Sequence, residues 1–182
     1  MPALQDAWRF LDESDLVASA AEIEAAIGRV AAEIEAELSQ GYPLVLVVMG
    51  GAVVFAGRLL PLLHFPLDLD YVHVSRYGTL TQGGNVTWKV APPESVRARA
   101  VLVLDDILDG GHTLCAIRER VLALGAASFR SAVLVDKQRA QAKPIAADFV
   151  GLRVPDRFVF GCGMDARGLW RNLPEIRAMR GH

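Results

Sequence analysis

Cysteine is scarce in this chain. Only Cys115 and Cys162 occur among 182 residues, without the paired spacing of a metal knuckle or the density of a disulfide framework, which suits a reducing cytoplasm. Also missing is any long unbroken apolar run: Gly, Pro or a charge interrupts each one, so no membrane-spanning helix is expected. No basic segment leads into a hydrophobic stretch near the start, so no signal peptide is expected. Charge of one sign is lacking too. Nineteen basic against twenty-one acidic residues leave a net charge of -2, which gives no footprint for nucleic acid or for a membrane surface. A polyanionic substrate must then be held by backbone amides, a few cations and bound metal.

What remains is 52% apolar composition over a length that can bury one full core, so the expectation is a single domain over residues 1–182. Ser19 and Glu22 make a capping-box pattern. Ile23, Ile27, Val30, Ile34 and Leu38 line one face behind it and Gly41 ends it, so residues 19–40 read as a helix. Residues 44–49 are a Val-rich strand, followed by Gly50, Gly51 and a helix to about residue 63. Strands are expected over residues 67–75, 86–90, 100–104, 129–135, 149–152 and 158–160, with a helix after Thr113. Alternating strands and helices imply an α/β fold with a mainly parallel twisted sheet flanked by helices. Ligands of such sheets sit at the carboxyl ends of the strands. Met49-Gly50-Gly51, Asp105-Asp106 and Asp136-Lys137 all lie at such ends.

The densest chemistry is in VLVLDDILDGGHT, residues 101–113. Asp105 and Asp106 follow a buried strand, and carboxylates about 5 Å apart repel by roughly 3 kcal/mol at an effective dielectric near 20. They call for hydroxyl donors or a divalent cation. Gly110, Gly111, His112 and Thr113 then open a helix whose bare amides suit an anion. A sugar phosphate satisfies both ends of the run.

This run resembles the phosphoribosyl-pyrophosphate motif of the type I phosphoribosyltransferases. VLVVMGGAVVFAGRLL, SRYG, VLVDK and DFVGLRVPDRFVFGCGMDARGLWRNLPEI are similar to segments of the hypoxanthine-guanine branch of that family, and the resemblance covers residues 16–176. It implies a core over about residues 38–145 and a small hood from residues 1–18 and 146–182. The implied reaction is purine salvage: transfer of 5-phosphoribosyl from phosphoribosyl pyrophosphate to a 6-oxopurine, hypoxanthine and/or guanine, releasing pyrophosphate. Mg²⁺ is the implied cofactor, held by Asp105, Asp106 and Asp165, and the implied partner is a second copy of the chain, as a homodimer or homotetramer.

The same resemblance distributes the roles. Met49, Gly50, Gly51, Tyr77 and Arg171 would bind pyrophosphate, and Asp105 and Asp106 the ribose hydroxyls. Gly110, Gly111, His112 and Thr113 would cradle the 5-phosphate, and Asp109 would accept the purine N7 proton. Lys137, a donor only, would read O6. Phe158 would stack on the base, with Val159 and Asp165 at the purine edge. Residues 76–85 would form a lid that excludes water during transfer, with Tyr77 closing over the pyrophosphate. Three departures stand out: Met49 where the family often has lysine, Arg76 in place of the usual serine, and Gly110 where serine or threonine commonly donates to the phosphate. A cis peptide is expected between Val48 and Met49.

Overall fold

The computed structural model describes residues 4–76 and 86–181. Helix α1 (Leu4–Asp12) and strand β1 (Ser14–Ala18) precede α2 (Ala20–Leu38), β2 (Leu44–Met49), α3 (Val53–Leu59) and β3 (Asp68–Arg76). Then come β4 (Val86–Val90), β5 (Ala100–Leu108), α4 (His112–Ala123), β6 (Ser128–Gln138), β7 (Phe149–Pro155), β8 (Val159–Phe160) and β9 (Ile176–Met179).

Six strands form one sheet in the order β4-β3-β2-β5-β6-β7. All neighbours are parallel except the β3–β4 pair. The central strands carry almost unbroken apolar runs because both of their faces are covered: Leu44 to Val48 and Val101 to Leu104 are buried throughout. Helix α2 opens with the expected box. The Glu22 N–H donates to Ser19 Oγ at 3.3 Å, and the Ser19 N–H donates to Glu22 Oε2 at 2.8 Å. Its buried stripe of Ile23, Ile27, Val30 and Ile34 recurs every three or four residues, and each fully buried Ile contributes about 1.5–3 kcal/mol of transfer free energy.

Strand β5 runs four residues beyond its expected end, so Asp105 and Asp106 lie within it. Pairing with β6 continues to Leu108 opposite Asp136, whereas pairing with β2 stops at Val47 opposite Leu104. On the β2 side the two acids therefore lie past the last paired residue, and Val48 of β2 lines the cleft together with them.

The second sheet is antiparallel, in the order β1-β9-β8, and joins the chain's two ends into a hood. Strand β7 falls outside this hood. Residues 149–155, placed there by the sequence reading, are the edge of the main sheet, with Phe149 opposite Ala132 and Pro155 opposite Gln138. Helix α1 packs on the hood: Trp8 meets Trp170 edge-to-face at 5.1 Å, and the Trp170 indole N–H donates to the Ala7 carbonyl at 2.9 Å. Asp15 fastens β1 from the other side, receiving Arg157 at 2.6 Å and Arg180 at 2.8 Å.

Candidate active site

Five segments meet at the carboxyl end of the main sheet. A cleft of about 270 Å³ opens there, lined by Val48, Asp105, Asp106, Asp109, Gly111 and Thr113 among others. Asp105 is buried, and its Oδ1 accepts the Asp106 N–H at 3.0 Å. The Asp106 carboxylate folds back on its own strand to accept the Ile107 N–H at 2.9 Å. Burial pushes the Asp106 carboxyl above the usual carboxylate range, opposed by its hydrogen bonds and by the Arg171 charge. Such a group favours a cation or a proton donor arriving from solvent.

The turn after β2 explains how the pair is shaped. A Cβ on Gly51 would stand 1.8 Å from Asp106 Oδ2, so the bare glycine admits the carboxylate. The hood touches the same turn, since a Cβ on Gly163 would lie 2.0 Å from the Gly51 carbonyl. This close approach places the hood residues Asp165 and Arg171 over the end of β2. Arg171 donates to Gly163 O at 2.6 Å and to Asp165 Oδ1 at 2.5 Å, while Asp165 Oδ2 accepts the Gly168 N–H at 2.6 Å. Trp170, adjacent to Arg171, has a φ of 65° and is held there by its bond to α1.

Helix α4 begins after Gly111, whose φ of 79° turns the chain, and Gly111 and Thr113 both line the cleft. His112, the first residue of α4, is exposed. Beyond the helix start, Lys137 Nζ lies 3.5 Å from Asp109 Oδ1 and 3.5 Å from Asp156 Oδ1. Arg139 reaches the same two acids, at 3.3 Å from Asp109 and 3.8 Å from Asp156. Lys143 ties the ends of β5 and β6, donating to Leu108 O at 2.5 Å and Asp136 Oδ1 at 2.6 Å. Phe158 leaves 43% of its surface exposed beside buried Val159, and its carbonyl accepts the Met179 N–H at 3.0 Å.

Most of the residues singled out from sequence thus gather at one end of the fold: Met49, Gly50 and Gly51 after β2, Asp105 to Thr113 on β5 and α4, Lys137 on β6, and Asp165 and Arg171 in the hood. Tyr77 and the lid expected over residues 76–85 lie outside the described residues, apart from the backbone of Arg76 at the end of β3. The cis peptide joins Met49 to Gly50, one step after the expected position. Strand β2 pairs with β3 through Met49 opposite His73. Arg139 and Asp156 were missed by the sequence reading. The one available signal was the place of Asp156, two residues before Phe158 in a segment already singled out.

Comparison with known proteins agrees with this geometry. The family model described as the phosphoribosyl transferase domain matches residues 15–167. The hypoxanthine-guanine phosphoribosyltransferase of Bacillus subtilis is 34% identical over 170 residues, covering 93% of this chain and 94% of that protein. The Staphylococcus aureus enzyme of the same name is 34% identical over 85% of this chain and 89% of its own. Among solved structures, a hypoxanthine phosphoribosyltransferase from Staphylococcus aureus superposes with a TM-score of 0.87 at 26% identity, over 99% of this chain and 96% of that one. A Trypanosoma cruzi hypoxanthine phosphoribosyltransferase in a ternary substrate complex gives 0.84 at 28% identity, over 93% and 97%.

Proposed function

The chain belongs to the phosphoribosyl transferase family and is a purine-salvage phosphoribosyltransferase acting on hypoxanthine and/or guanine, and we propose how its own residues divide the reaction. Asp109 accepts the proton of purine N7 as ribose bonds to N9. Lys137 donates to the O6 acceptor and disfavours the amino group of adenine. The observation that carries this reading is the 3.5 Å approach of Lys137 Nζ to Asp109 Oδ1, which puts a donor for O6 beside an acceptor for N7. A 6-oxopurine presents those two atoms on one edge.

Asp105 and Asp106 hold the ribose hydroxyls. The backbone amides of Gly110, Gly111, His112 and Thr113 hold the 5-phosphate, favoured by the start of α4. The turn at Met49, Gly50 and Gly51 and the Arg171 guanidinium receive the pyrophosphate and stabilise its departing charge. Phe158 covers one face of the base, and Val159 and Asp165 meet its edge.

The donor set fits Mg²⁺. Asp105 and Asp106 are adjacent hard oxygen ligands, and the raised Asp106 carboxyl gains from a neighbouring cation. Among the described residues no three or more His, Cys, Asp or Glu side chains form a cage. Asp105, Asp106 and Asp165 would therefore hold the ion jointly with substrate oxygens, and when bound it neutralises charge on the leaving pyrophosphate. Leu69 and Tyr71 stand exposed on one face of β3, and we read this as support for association with a second copy of the chain, as a dimer or tetramer measurable by sedimentation. The two free thiols fit a cytoplasmic setting.

The test supplies Mg²⁺, phosphoribosyl pyrophosphate and, in turn, hypoxanthine, guanine, xanthine and adenine, and measures nucleotide. Wild-type protein should use the 6-oxopurines and leave adenine, and Lys137→Met should raise the KM for hypoxanthine by about tenfold or more, the scale of one charged hydrogen bond. An unchanged KM in Lys137→Met removes Lys137 from the purine site.

A further inference from the structure

The proposed purine site contains two charged side chains to which the division of roles gives no task, Arg139 and Asp156. Strands β6 and β7 run parallel with Gln138 opposite Pro155, so their ends deliver Lys137, Arg139 and Asp156 to one place. There the four charges alternate. Lys137 lies 3.5 Å from both Asp109 and Asp156, and Arg139 lies 3.3 Å from Asp109 and 3.8 Å from Asp156. Each cation faces two acids and each acid two cations, so the ring sums to zero charge. The Lys137 side chain is 13% exposed and Arg139 33%, against 40% for Asp109 and 44% for Asp156, so an imbalance in the ring is only partly screened.

We propose that Asp156 is a positioning and specificity-determining residue. It shares the Lys137 ammonium with Asp109, which keeps that ammonium available to O6 and keeps the ring neutral. The inference rests on the reading of Lys137 as the residue that meets O6. Hypoxanthine and guanine are neutral near neutral pH, whereas xanthine is more acidic and largely a monoanion under mildly alkaline conditions. A ring of zero net charge gives the anion no advantage. Neutralising Asp156 leaves two cations on Asp109, a net positive ring that attracts the anion. Neutralising Arg139 leaves a net negative ring that repels it. The surrounding charges, Asp136 with Lys143 and Arg153, and Asp165 with Arg171, are unchanged by either substitution.

The experiment measures kcat/KM for xanthine and for hypoxanthine at one mildly alkaline pH in wild-type protein, Asp156→Asn and Arg139→Gln. If xanthine turns over too slowly to time, its inhibition of hypoxanthine transfer gives the same ratio. The xanthine-to-hypoxanthine ratio should rise about tenfold in Asp156→Asn and fall by a similar factor in Arg139→Gln, the scale of one partly solvated charge pair. Shifts of opposite sign are not the mark of general loosening, and the ratio cancels any effect on phosphoribosyl pyrophosphate. Ratios that stay put, or that move in the same direction in both variants, overturn the proposal. Lys137→Met separates the levels: if it raises the hypoxanthine KM while both ratios stay put, only the role of Asp156 falls, and if it leaves that KM unchanged, the reading of Lys137 falls as well.

Discussion

Replacing Gly51 with alanine adds a single methyl group, and the structure says which atoms it would strike. All three near neighbours of the new Cβ belong to the Asp106 carboxylate: Oδ2 at 1.8 Å, Cγ at 2.5 Å and Oδ1 at 3.1 Å. The closest is about 1.5 Å short of ordinary contact. No backbone atom is among them, so rotation of Asp106 away from the turn relieves the clash. The chain should fold, with a stability loss of about 1–3 kcal/mol for a forced rotamer, each kcal/mol lowering Tm by about 2–4 °C at this length. The active site should suffer far more. A catalytic or binding group displaced by about 1 Å can cost on the order of 10²-fold, so kcat/KM for phosphoribosyl pyrophosphate should fall by roughly that factor while the KM for hypoxanthine barely moves. Gly57→Ala is the matching control, because a Cβ there meets nothing within 4 Å and Gly57 lies inside α3. It should stabilise the protein by about 0.4–1 kcal/mol and leave kinetics alone. Steady-state kinetics with each substrate varied, alongside thermal unfolding, decide the matter. Normal use of phosphoribosyl pyrophosphate by Gly51→Ala would refute the placement of Asp106 against the ribose.

Asp109→Asn keeps the shape of the phosphate turn and removes the acceptor, so kcat should drop by about 10²–10⁴ with little change in Tm; near-normal turnover would exclude proton acceptance by Asp109. The Arg180 and Arg157 hydrogen bonds hold the Asp15 carboxyl below its ordinary value of 3.8. That contribution to stability is present above the unfolded-state value and is lost as pH falls below it through the folded-state value. The acid limb of the stability profile should therefore flatten in Asp15→Asn, and urea melts at successive pH values that overlay wild type would contradict this. Chelating divalent cations should abolish nucleotide formation yet leave Tm within about 2 °C, since no described cluster of protein ligands couples a metal to folding; a large fall in Tm would count against substrate oxygens completing the metal shell.

The middle of the sheet was readable because unbroken apolar runs such as LVLVV and VLVL have few ways to be buried, and the helix of residues 19–40 because its cap and its stripe agree. The turn from β5 into α4 was readable because acids, glycines and a helix start occur together in 101–113. The hood was harder. Strand β1 is five mixed residues and β9 four, and each is a strand only because the other lies beside it. Helix α1 likewise depends on Trp170, 163 positions away. The ends of β5 and β7 were set by neighbouring strands, which no local pattern reports. Asp156 and Arg139 are ordinary surface residues in sequence, and their significance comes from β6 and β7 stopping together.

The most direct test of the convergence of these strand ends is a crystal structure of the protein with a 6-oxopurine nucleoside 5-monophosphate. The phosphate should lie on the amides of residues 110–113, the ribose against Asp105 and Asp106, and the base between Phe158 and Lys137 with N7 facing Asp109. A nucleotide bound elsewhere, or with its base turned away from both Lys137 and Asp109, would contradict that convergence.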